Sequence, residues 1–596
     1  MKTRFSILRN ERNANLFIIG VFLFVAIFLT WPLYINDRMI LGVDAFFHIH
    51  RVYETAMQIK HGDLSYFMSI FGFGQTGRIV NMAYGPVFAY LAGAMLLIVG
   101  NWFKWQFVTN VVIAFASLTV SYFSLKATSV SKLWSVVGAI LIYTLMPALS
   151  WWHDQAFMGV GVILLPIAMS LGIRMLQSET PGIKPIATGV LVALGIQIHM
   201  LSTLFMVLIL AFYAVPAFIK TAKKWLFLRK GVLSIIIALI GSANVWWPLL
   251  SVSAHNQLLR PFIEGNAGSD ITSLAVTVDG SRNMSVVLAI IFVSSLALLL
   301  RKLMYKTGPD FVTTWTLVAG VGLMLMSFQI LPWQTILSNP HNPISLFQFP
   351  MRFAMPATVL LIFGIARVTQ RITLVNVDLV RFVGVVVSLF MVFNVYGYAA
   401  QTARNAKDKD LFVTQPYATP AFVTPDLTLD KLANDEHTSD LSLLVADAAQ
   451  NYPDYLPISE QNQQNLSAND WFHGNGYEVQ YLETYVTSQA LHNLTKQVDG
   501  QKLILEWRGD KSSTVILPVA KYAESQIVVN GKTLADKARV TKLGAPIIRQ
   551  QSGNNRAVIT FKAPKSVIAT YVVTVIFWIG LLTYLLVIKV RKTKAL

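Results

Sequence analysis

Three residues in one short segment could perform acid–base or phosphate chemistry together. Asp44, His48 and Arg51 stand at positions i, i+4 and i+7 of segment 42–51, which continues into good helix formers. On a helix, this spacing places the three side chains on one face. A carboxylate, an imidazole and a guanidinium presented together could deprotonate a hydroxyl, bind a divalent metal or hold a phosphate. The simpler alternative is an aspartate that caps the helix, followed by a solvated polar face.

A second carboxylate lies in a short loop between two apolar runs. Asp154 follows His153 and the pair Trp151 and Trp152 in loop 151–155. The tryptophans are most simply anchors at a membrane interface, where aromatic side chains are enriched, and His153 could snorkel towards the same interface. Asp154 has no such simple explanation, so we expect it to take part in the same chemistry as Asp44.

An arginine stands where a polar loop re-enters an apolar run. Arg352 ends the sequence Gln348-Phe-Pro-Met-Arg352. An arginine at that depth is costly unless it meets an anion or faces an aqueous cavity, and a lipid phosphate would satisfy its planar donors. The alternative is an arginine that snorkels to the lipid headgroups. His199, His255 and Arg260 lie near the ends of other apolar runs and are weaker candidates.

Composition indicates that lipid is the solvent for most of the chain. Of 596 residues, 54% are hydrophobic and 13% are charged, whereas a soluble protein carries about a quarter charged residues. The net charge of +18 does not indicate a nucleic-acid partner, because the basic residues cluster at the ends of apolar runs. That distribution is typical of membrane topology. The chain contains no cysteine, which excludes a disulfide framework, a thiolate metal site and a cysteine nucleophile.

Apolar run length and the distribution of Lys and Arg predict a polytopic α-helical membrane protein with about twelve spans. The spans are expected near 16–34, 106–125, 133–149, 157–176, 185–200, 202–219, 232–250, 284–303, 310–330, 353–368, 380–398 and 567–588. Segment 86–100 is apolar but short, and counting it as a span would reverse the charge pattern of every later loop. We therefore expect this segment to be interfacial or re-entrant. We expect both termini of the chain to be cytoplasmic and the first span to be an uncleaved helix, not a secretory signal.

The predicted topology divides the chain into three parts. Residues 1–400 form the transmembrane domain, and its first outer loop, 35–105, carries interfacial helices. Residues 401–565 form an extracytoplasmic β-rich domain that resembles a sandwich, with an irregular first part near 414–469. Asn530-Gly531 directly after a predicted strand is a hairpin turn signal. Residues 566–596 form the last span and a basic cytoplasmic tail.

Gly72-Phe-Gly-Gln-Thr-Gly77 matches a dinucleotide fingerprint but lacks the strand that should precede it.

These features resemble the GT-C superfamily of membrane glycosyltransferases. The resemblance rests on Asp44 after the first span, on Tyr84-Gly-Pro-Val-Phe-Ala-Tyr90 before the short apolar helix, and on Asp154. More narrowly, segment 44–51 and Gln348-Phe-Pro-Met-Arg352 are similar to bacterial membrane proteins labelled 6-pyruvoyl-tetrahydropterin synthase-related, or YfhO-like. The sequence shows no zinc site of a pterin synthase, so that label implies nothing about chemistry.

The resemblance implies an enzyme that takes a sugar from a polyprenyl-phosphate-linked donor and passes it, with inversion, to an acceptor of the cell envelope. Asp44 would be the base or would anchor a metal, and Asp154 would be the second acidic group. The side chains that would hold the donor phosphate are Arg352, Arg51, His48 and Arg260. Additional candidates for the site are His153, His199 and His255. A divalent metal, Mg or Mn on Asp44 and Asp154, is left open. The expected location is the plasma membrane, with residues 401–565 extracellular.

Two other classes of function compete with this one. A transporter or flippase of a lipid-linked envelope precursor would show paired halves, broken spans and ionisable residues near the middle of the bilayer. The sequence shows no clear internal repeat, and its polar residues gather at the outer surface. A non-catalytic factor for envelope assembly would need far fewer spans as an anchor.

Overall fold

The structure is a computed structural model of the chain. It describes residues 11–42, 44–145, 157–178, 180–259, 271–274, 283–338, 342–372, 376–407, 429–447, 453–458, 480–486 and 491–594. Helices dominate this part of the chain, and a small two-sheet β domain precedes the last helix.

The helices follow one another closely, with few residues between most of them. In chain order they are α1 (Glu11–Asn36), α2 (Ala45–His61), α3 (Pro86–Val99), α4 (Trp102–Lys126), α5 (Lys132–Thr144), α6 (Met158–Gln177), α7 (Pro185–Ile198), α8 (Met200–Lys220), α9 (Lys224–Gly241), α10 (Ala243–His255), α11 (Val286–Tyr305), α12 (Phe311–Met326), α13 (Trp333–Ser338), α14 (Ala354–Thr369), α15 (Val377–Lys407), α16 (Leu429–His437), α17 (Leu441–Asp447) and α18 (Lys565–Lys594).

Within the residues that the structure describes, eight stretches of helix are long and apolar enough to cross a membrane, so the chain is a multi-pass membrane protein. They are α1, α4, α6, α8, α11, α15, α18 and the stretch Pro350–Thr369 that contains α14. Four other helices in the described part of the chain, α3, α5, α7 and α12, are apolar but have 14, 13, 14 and 16 residues. These are shorter than the roughly 20 residues that span a bilayer. The predicted count of twelve is therefore not confirmed, whereas the polytopic helical architecture is.

The span predicted near 232–250 is bent rather than straight. Helices α9 and α10 meet at an angle of 72°, with Ser242 at the break in a non-helical conformation. The backbone groups that the break exposes find partners, as irregular backbone within a membrane requires. The indole of Trp578 donates to the carbonyl of Gly241 at 2.9 Å, and the amide of Asn244 donates to the Thr574 hydroxyl at 3.2 Å. Helix α18 therefore stabilises the bend.

The most buried span is Pro350–Thr369, of which 78% is enclosed by other helices, whereas α18 is only 6% enclosed. Helix α14 packs on α12, α5, α11 and α6. In a membrane, a helix with an apolar surface that no other helix covers faces lipid. The bundle is thus centred on α14, with α18 and α11 at its margin.

The β domain contains the strands β3 (His492–Asp499), β4 (Lys502–Gly509), β5 (Ser513–Ile516), β6 (Ser525–Val529), β7 (Lys532–Thr533), β8 (Ile547–Gln550) and β9 (Gly553–Phe561). A separate small pair between α10 and α11 consists of β1 (Ser273–Leu274) and β2 (Asn283–Met284). One antiparallel sheet has the order β3-β4-β9-β6-β7, and β5 pairs with β8. Asn530 and Gly531 both have positive φ and join β6 to β7. The predicted hairpin turn is confirmed.

The region before these strands differs from the irregular segment predicted at 414–469. Within its described residues the chain forms helices α16 and α17, and α15 extends to Lys407. These two short helices pack on α4 and α2, and the indole of Trp102 donates to the carbonyl of Leu441 at 3.1 Å. The abundance of Asp and Asn in this region concealed helices that tertiary contacts stabilise. The described strands of segment 401–565 lie within 492–561.

Candidate functional site

Helix α2 begins directly after Asp44 and carries the other two residues, His48 and Arg51, that the sequence grouped with it. Asp44 is the N-cap residue, but its side chain makes no capping hydrogen bond. His48 and Arg51 both contact one ring: the imidazole stacks on Phe157 with centroids 4.9 Å apart, and the guanidinium lies 4.9 Å from the same centroid. The two side chains therefore share one face, as the spacing predicted. That face is buried and not solvated, since Arg51 is 1% exposed.

The guanidinium of Arg51 makes hydrogen bonds to the described residues through two of its three nitrogens. Its Nε donates to Asn81 Oδ1 at 2.8 Å, and its Nη2 donates to the carbonyl of Gly85 at 2.5 Å. The rings of Tyr84 and Phe157 each lie 4.9 Å away. Its Nη1 is buried and has no hydrogen-bond partner among the described residues. Burial lowers the pKa of Arg51 to about 10, so the group stays charged at neutral pH.

His199 joins this cluster from the junction of α7 and α8. Its Nδ1 accepts from the backbone amide of Ser202 at 3.3 Å and so caps α8. Its ring lies 5.5 Å from Phe157 and 6.5 Å from Tyr84. His48 interacts electrostatically with both Arg51 and His199. One aromatic ring, Phe157, therefore separates and orients three nitrogen-bearing side chains from two distant segments.

Arg352 lies at the same end of the bundle, in the turn that precedes α14. Its Nη1 donates to the carbonyl of Phe347 at 3.2 Å and to Gln348 Oε1 at 2.5 Å, and its guanidinium lies 4.7 Å from the ring of Phe349. Arg352 is half-buried and is within electrostatic range of His199. The structure thus gathers Asp44, His48, Arg51, His199 and Arg352, of which His48 and Arg51 are buried and the others remain partly exposed.

His48 is neutral in this setting. Burial, followed by the charges of Arg51 and His199, lowers the pKa of its imidazole well below the ordinary value. A neutral imidazole donates from one nitrogen and accepts at the other. His48 can therefore orient a ligand by hydrogen bonding, but it adds no positive charge for a phosphate.

The loop between α2 and α3 is built around Glu54, a residue that sequence reasoning missed. Its buried carboxylate accepts from the backbone amides of Ile70, Phe71 and Gly72 at 3.0, 2.8 and 2.5 Å, and from Gln58 Nε2 at 2.7 Å. Burial raises the pKa of Glu54, and these four donors oppose that rise. A glutamate on the polar side of an amphipathic helix gives no sign in the sequence that it will collect three consecutive amides.

The same loop explains the glycine-rich motif that resembles a dinucleotide fingerprint. Gly74 and Gly77 have φ of +64° and +70°, a conformation that glycine adopts readily and other residues rarely do. A Cβ on Gly72 would collide with the carbonyl oxygen of His50. The amide of Phe73 donates to Nδ1 of His50 at 3.0 Å. The glycines therefore shape a loop that docks on α2, and His50 is directed to this loop while His48 contacts Phe157.

Three of the predicted site residues, Asp154, His153 and Arg260, lie outside the described residues. His255 is described but stands apart from the cluster: its Nδ1 lies 3.2 Å from a carboxylate oxygen of Glu524, next to the β domain. In the part of the chain that the structure covers, no three His, Cys, Asp or Glu side chains are arranged to hold a metal ion. The described residues therefore supply no complete metal site.

Comparison with known proteins leaves the family open. No protein-family model matches the chain, and no curated protein matches it. Among solved structures, the crystal structure of the Archaeoglobus fulgidus oligosaccharyltransferase in the apo form is similar over 65% of this chain and 56% of that chain. The sequence identity is 12% and the TM-score is 0.36. A likeness of this size carries no argument about activity, so the function must be argued from the site.

Proposed function

We propose that the chain is a membrane glycosyltransferase that moves a sugar from a polyprenyl-phosphate-linked donor to an acceptor of the cell envelope. The observation that carries this proposal is the assembly of Asp44, His48, Arg51, His199 and Arg352 at one end of a membrane bundle. The cluster offers an acidic group, two cations and neutral imidazole within a partly enclosed aromatic setting. That set of groups matches the needs of a transfer in which phosphate leaves and a hydroxyl attacks.

Asp44 is suited to act as the base. It is half-buried and stands at the start of α2, one turn before His48. In the proposed step the acceptor hydroxyl attacks the anomeric carbon from the side opposite the phosphate, and its proton passes to the Asp44 carboxylate. The bond between the anomeric carbon and the phosphate oxygen breaks with its electron pair on the phosphate. This displacement inverts the anomeric centre.

The two arginines are suited to stabilise the departing phosphate. The unpartnered Nη1 of Arg51 is a buried donor, and leaving such a donor unsatisfied costs about 1–3 kcal/mol. A phosphate oxygen would recover that cost with a charge-assisted hydrogen bond. Arg352 is partly exposed and could follow the phosphate as negative charge grows on it. The neutral His48 and His199 would orient the donor, and Asp154 and Arg260 are proposed to complete the acidic and cationic sets.

The orientation of the chain in the membrane is part of the proposal. Basic residues collect at the end of the bundle opposite the site: Arg174 donates to the carbonyl of Ala127 at 2.8 Å, and Arg367 donates to that of Thr128 at 2.7 Å. Lysine and arginine favour the cytoplasmic side. This distribution supports cytoplasmic termini and an extracellular β domain in a plasma membrane, with the site at the outer surface.

One observation favours a second candidate, a transporter or flippase of a lipid-linked precursor. The bent pair α9–α10 has the geometry of the broken spans found in transporters, which a re-entrant loop shares. In the described residues it is a single bent pair with no counterpart in the other half. The break lies beside the ionisable cluster: Gln197 donates to the carbonyl of Gly241 at 3.1 Å, and the backbone carbonyl of Gln197 packs on Gly85, whose own carbonyl accepts from Arg51. A non-catalytic assembly factor would require neither feature.

The deciding experiment measures transfer of radiolabelled sugar from synthetic polyprenyl-phosphate donors in membranes that carry the wild type, Asp44→Asn or Asp37→Asn. The last variant is the matched control, because Asp37 lies in the same loop and its side chain is 70% exposed. We expect Asp44→Asn to abolish transfer at normal expression and Asp37→Asn to retain it. An EDTA arm tests the metal. If no variant, wild type included, consumes donor, the glycosyltransferase proposal is wrong and transport moves ahead.

A further inference from the structure

A short segment from the C-terminal part of the chain reaches the candidate site. Residues 453–458 lie against 257–259, the stretch that follows α10, through three backbone hydrogen bonds of 2.8 Å. Leu258 and Pro457 form an antiparallel bridge within this pairing. The segment therefore has a defined backbone position next to the membrane bundle, although it is about 400 residues from Asp44 in sequence.

The β domain holds this segment in place. The Tyr522 hydroxyl donates to the carbonyl of Tyr455 at 2.8 Å and accepts from the amide of Ile79 at 3.2 Å. Gly544 packs so closely on Pro457 that a Cβ there would meet the proline ring at 2.5 Å. One phenol thus ties the segment both to the β domain and to the loop that carries Asn81 and Gly85.

Within the segment, Asp454 presents a buried carboxylate oxygen that has no partner among the described residues. The residue is 8% exposed, and its backbone carbonyl accepts from Nη2 of Arg78. Its Oδ1 is fully enclosed and accepts no hydrogen bond from the described residues. An enclosed carboxylate oxygen without a donor is costly. Burial raises the pKa of Asp454 to about 6, and the charge of Arg78 opposes that rise. At a pH above this value the carboxylate is ionised.

Asp454 belongs to the same electrostatic neighbourhood as the candidate site. The ring of Tyr455 lies 5.8 Å from that of Tyr84, which packs on Arg51. Burial, and then the charges of Asp454 and Asp44, raise the pKa of the Tyr84 phenol. Tyr84 thus experiences both carboxylates, one from each end of the chain. Tyr84 and Tyr455 are half-buried and leave part of their surface open to a ligand.

We propose that Asp454 accepts a hydrogen bond from a hydroxyl group of the sugar that the site binds, which makes segment 453–458 part of the substrate site. This inference rests on the proposed function and adds a carbohydrate contact to it. An ionised carboxylate only accepts hydrogen bonds, so its partner must donate. A hydroxyl group is a better partner for Asp454 than a cation, because Arg78 already provides a positive charge near the carboxylate. Tyr455 provides an adjacent aromatic surface on which a sugar ring can pack.

The phosphate and the sugar of the donor would then contact different side chains. Arg51 and Arg352 contact the phosphate, whereas Asp454 contacts the sugar and does not take part in bond breaking. Asp454 is a positioning residue for the donor, and its loss should act on binding of the sugar-bearing lipid. Asparagine retains a neutral oxygen acceptor, so Asp454→Asn exchanges a charged hydrogen-bond acceptor for a neutral one, which corresponds to roughly a tenfold change in affinity.

The test is binding of two tritiated probes to purified wild type, Asp454→Asn and Asp499→Asn in detergent. One probe is polyprenyl phosphate, and the other is polyprenyl phosphate that bears the sugar the wild type binds best from a panel of hexoses and pentoses. The control residue Asp499 lies on β3, with an exposed side chain. We expect Asp454→Asn to weaken the sugar-bearing probe about tenfold or more and to leave the sugar-free probe unchanged. Asp499→Asn should change neither.

Each other outcome overturns the inference in a recognisable way. If Asp454→Asn weakens both probes equally, or neither, Asp454 serves only to balance Arg78. If the wild type binds both probes with equal affinity, the site makes no sugar contact, although the phosphate role of Arg51 stands. If the wild type binds neither probe, the proposed function fails and takes this inference with it. Should the asparagine variant not fold, Asp454→Glu keeps the charge, displaces the acceptor by one methylene and must also reduce the preference for the sugar-bearing probe.

Discussion

The substitution Glu54→Gln tests whether one carboxylate organises the loop beside the candidate site. The change is nearly isosteric, but an amide has one oxygen where the carboxylate has two. Oε1 of Glu54 accepts from Ile70 and Gln58, and Oε2 accepts from Phe71 and Gly72. All four partners are donors, so the amide nitrogen cannot replace either oxygen. The best orientation of the glutamine therefore retains two of the four hydrogen bonds.

The magnitude follows from the two lost bonds. Hydrogen bonds to a charged group contribute about 1.5–3 kcal/mol each, so the lower limit for two is about 3 kcal/mol. Since 1.36 kcal/mol corresponds to a factor of ten, the local opening equilibrium of segment 70–72 should rise roughly a hundredfold. The amides of this segment should exchange with solvent deuterium faster by the same factor.

The assay is hydrogen–deuterium exchange with mass spectrometry on the detergent-purified protein. Peptides from α4 serve as the internal reference, and Glu506→Gln is the control, because that glutamate lies at the surface of the β domain and pairs with Arg556. An increase below tenfold in peptides that cover 70–72 would refute the reasoning, as would an equal increase throughout the protein. The first result would mean that the loop is held by its other contacts, and the second that the whole fold is weakened.

Three further substitutions test separate parts of the structure. Arg352→Gln should weaken binding of polyprenyl phosphate roughly tenfold to hundredfold, because a charged donor is lost, whereas the exposed Arg381→Gln should leave it unchanged; a scintillation proximity assay measures both. Burial raises the pKa of Glu436 to about 8. Because the pKa of Glu436 is raised in the folded protein, α16 should dock most strongly below the ordinary carboxyl pKa and more weakly as pH rises through about 8. Proteolysis within α16 should therefore become faster as pH rises, and Glu436→Gln should remove that dependence. Gly72→Ala should lower the thermal unfolding midpoint, as a Cβ there meets the carbonyl oxygen of His50; an unchanged midpoint would show that the loop can shift away from α2.

Sequence patterns within a single segment predicted the long spans, the shared face of α2 and the hairpin turn. The length of apolar runs identified the long spans, because a helix must satisfy its backbone within lipid and must be long enough to cross it. The i, i+4, i+7 spacing placed His48 and Arg51 on one face of α2, where both contact Phe157. Asn530-Gly531 predicted its hairpin, since both residues tolerate positive φ.

Other features depend on contacts between segments far apart in sequence, and the same patterns could not predict them. The bend between α9 and α10 relies on Trp578 and Thr574 of α18, which provide partners for the exposed backbone. Helices α16 and α17 form in a segment whose composition indicates irregular structure, because they pack on α2 and α4. In both places a partner that is distant in sequence outweighs the local preference.

The candidate site shows the same division. The sequence by itself identified a multi-pass membrane protein and the chemical types of Asp44, His48, Arg51 and Arg352, because residue type and periodicity are local properties. Only the tertiary structure showed that His199 and Arg51 both contact the ring of Phe157. It also showed that Glu54 shapes the adjoining loop and that segment 453–458 reaches Tyr84. The physical reason is that burial and hydrogen-bond satisfaction are properties of the packed chain, and no spacing within one helix encodes them.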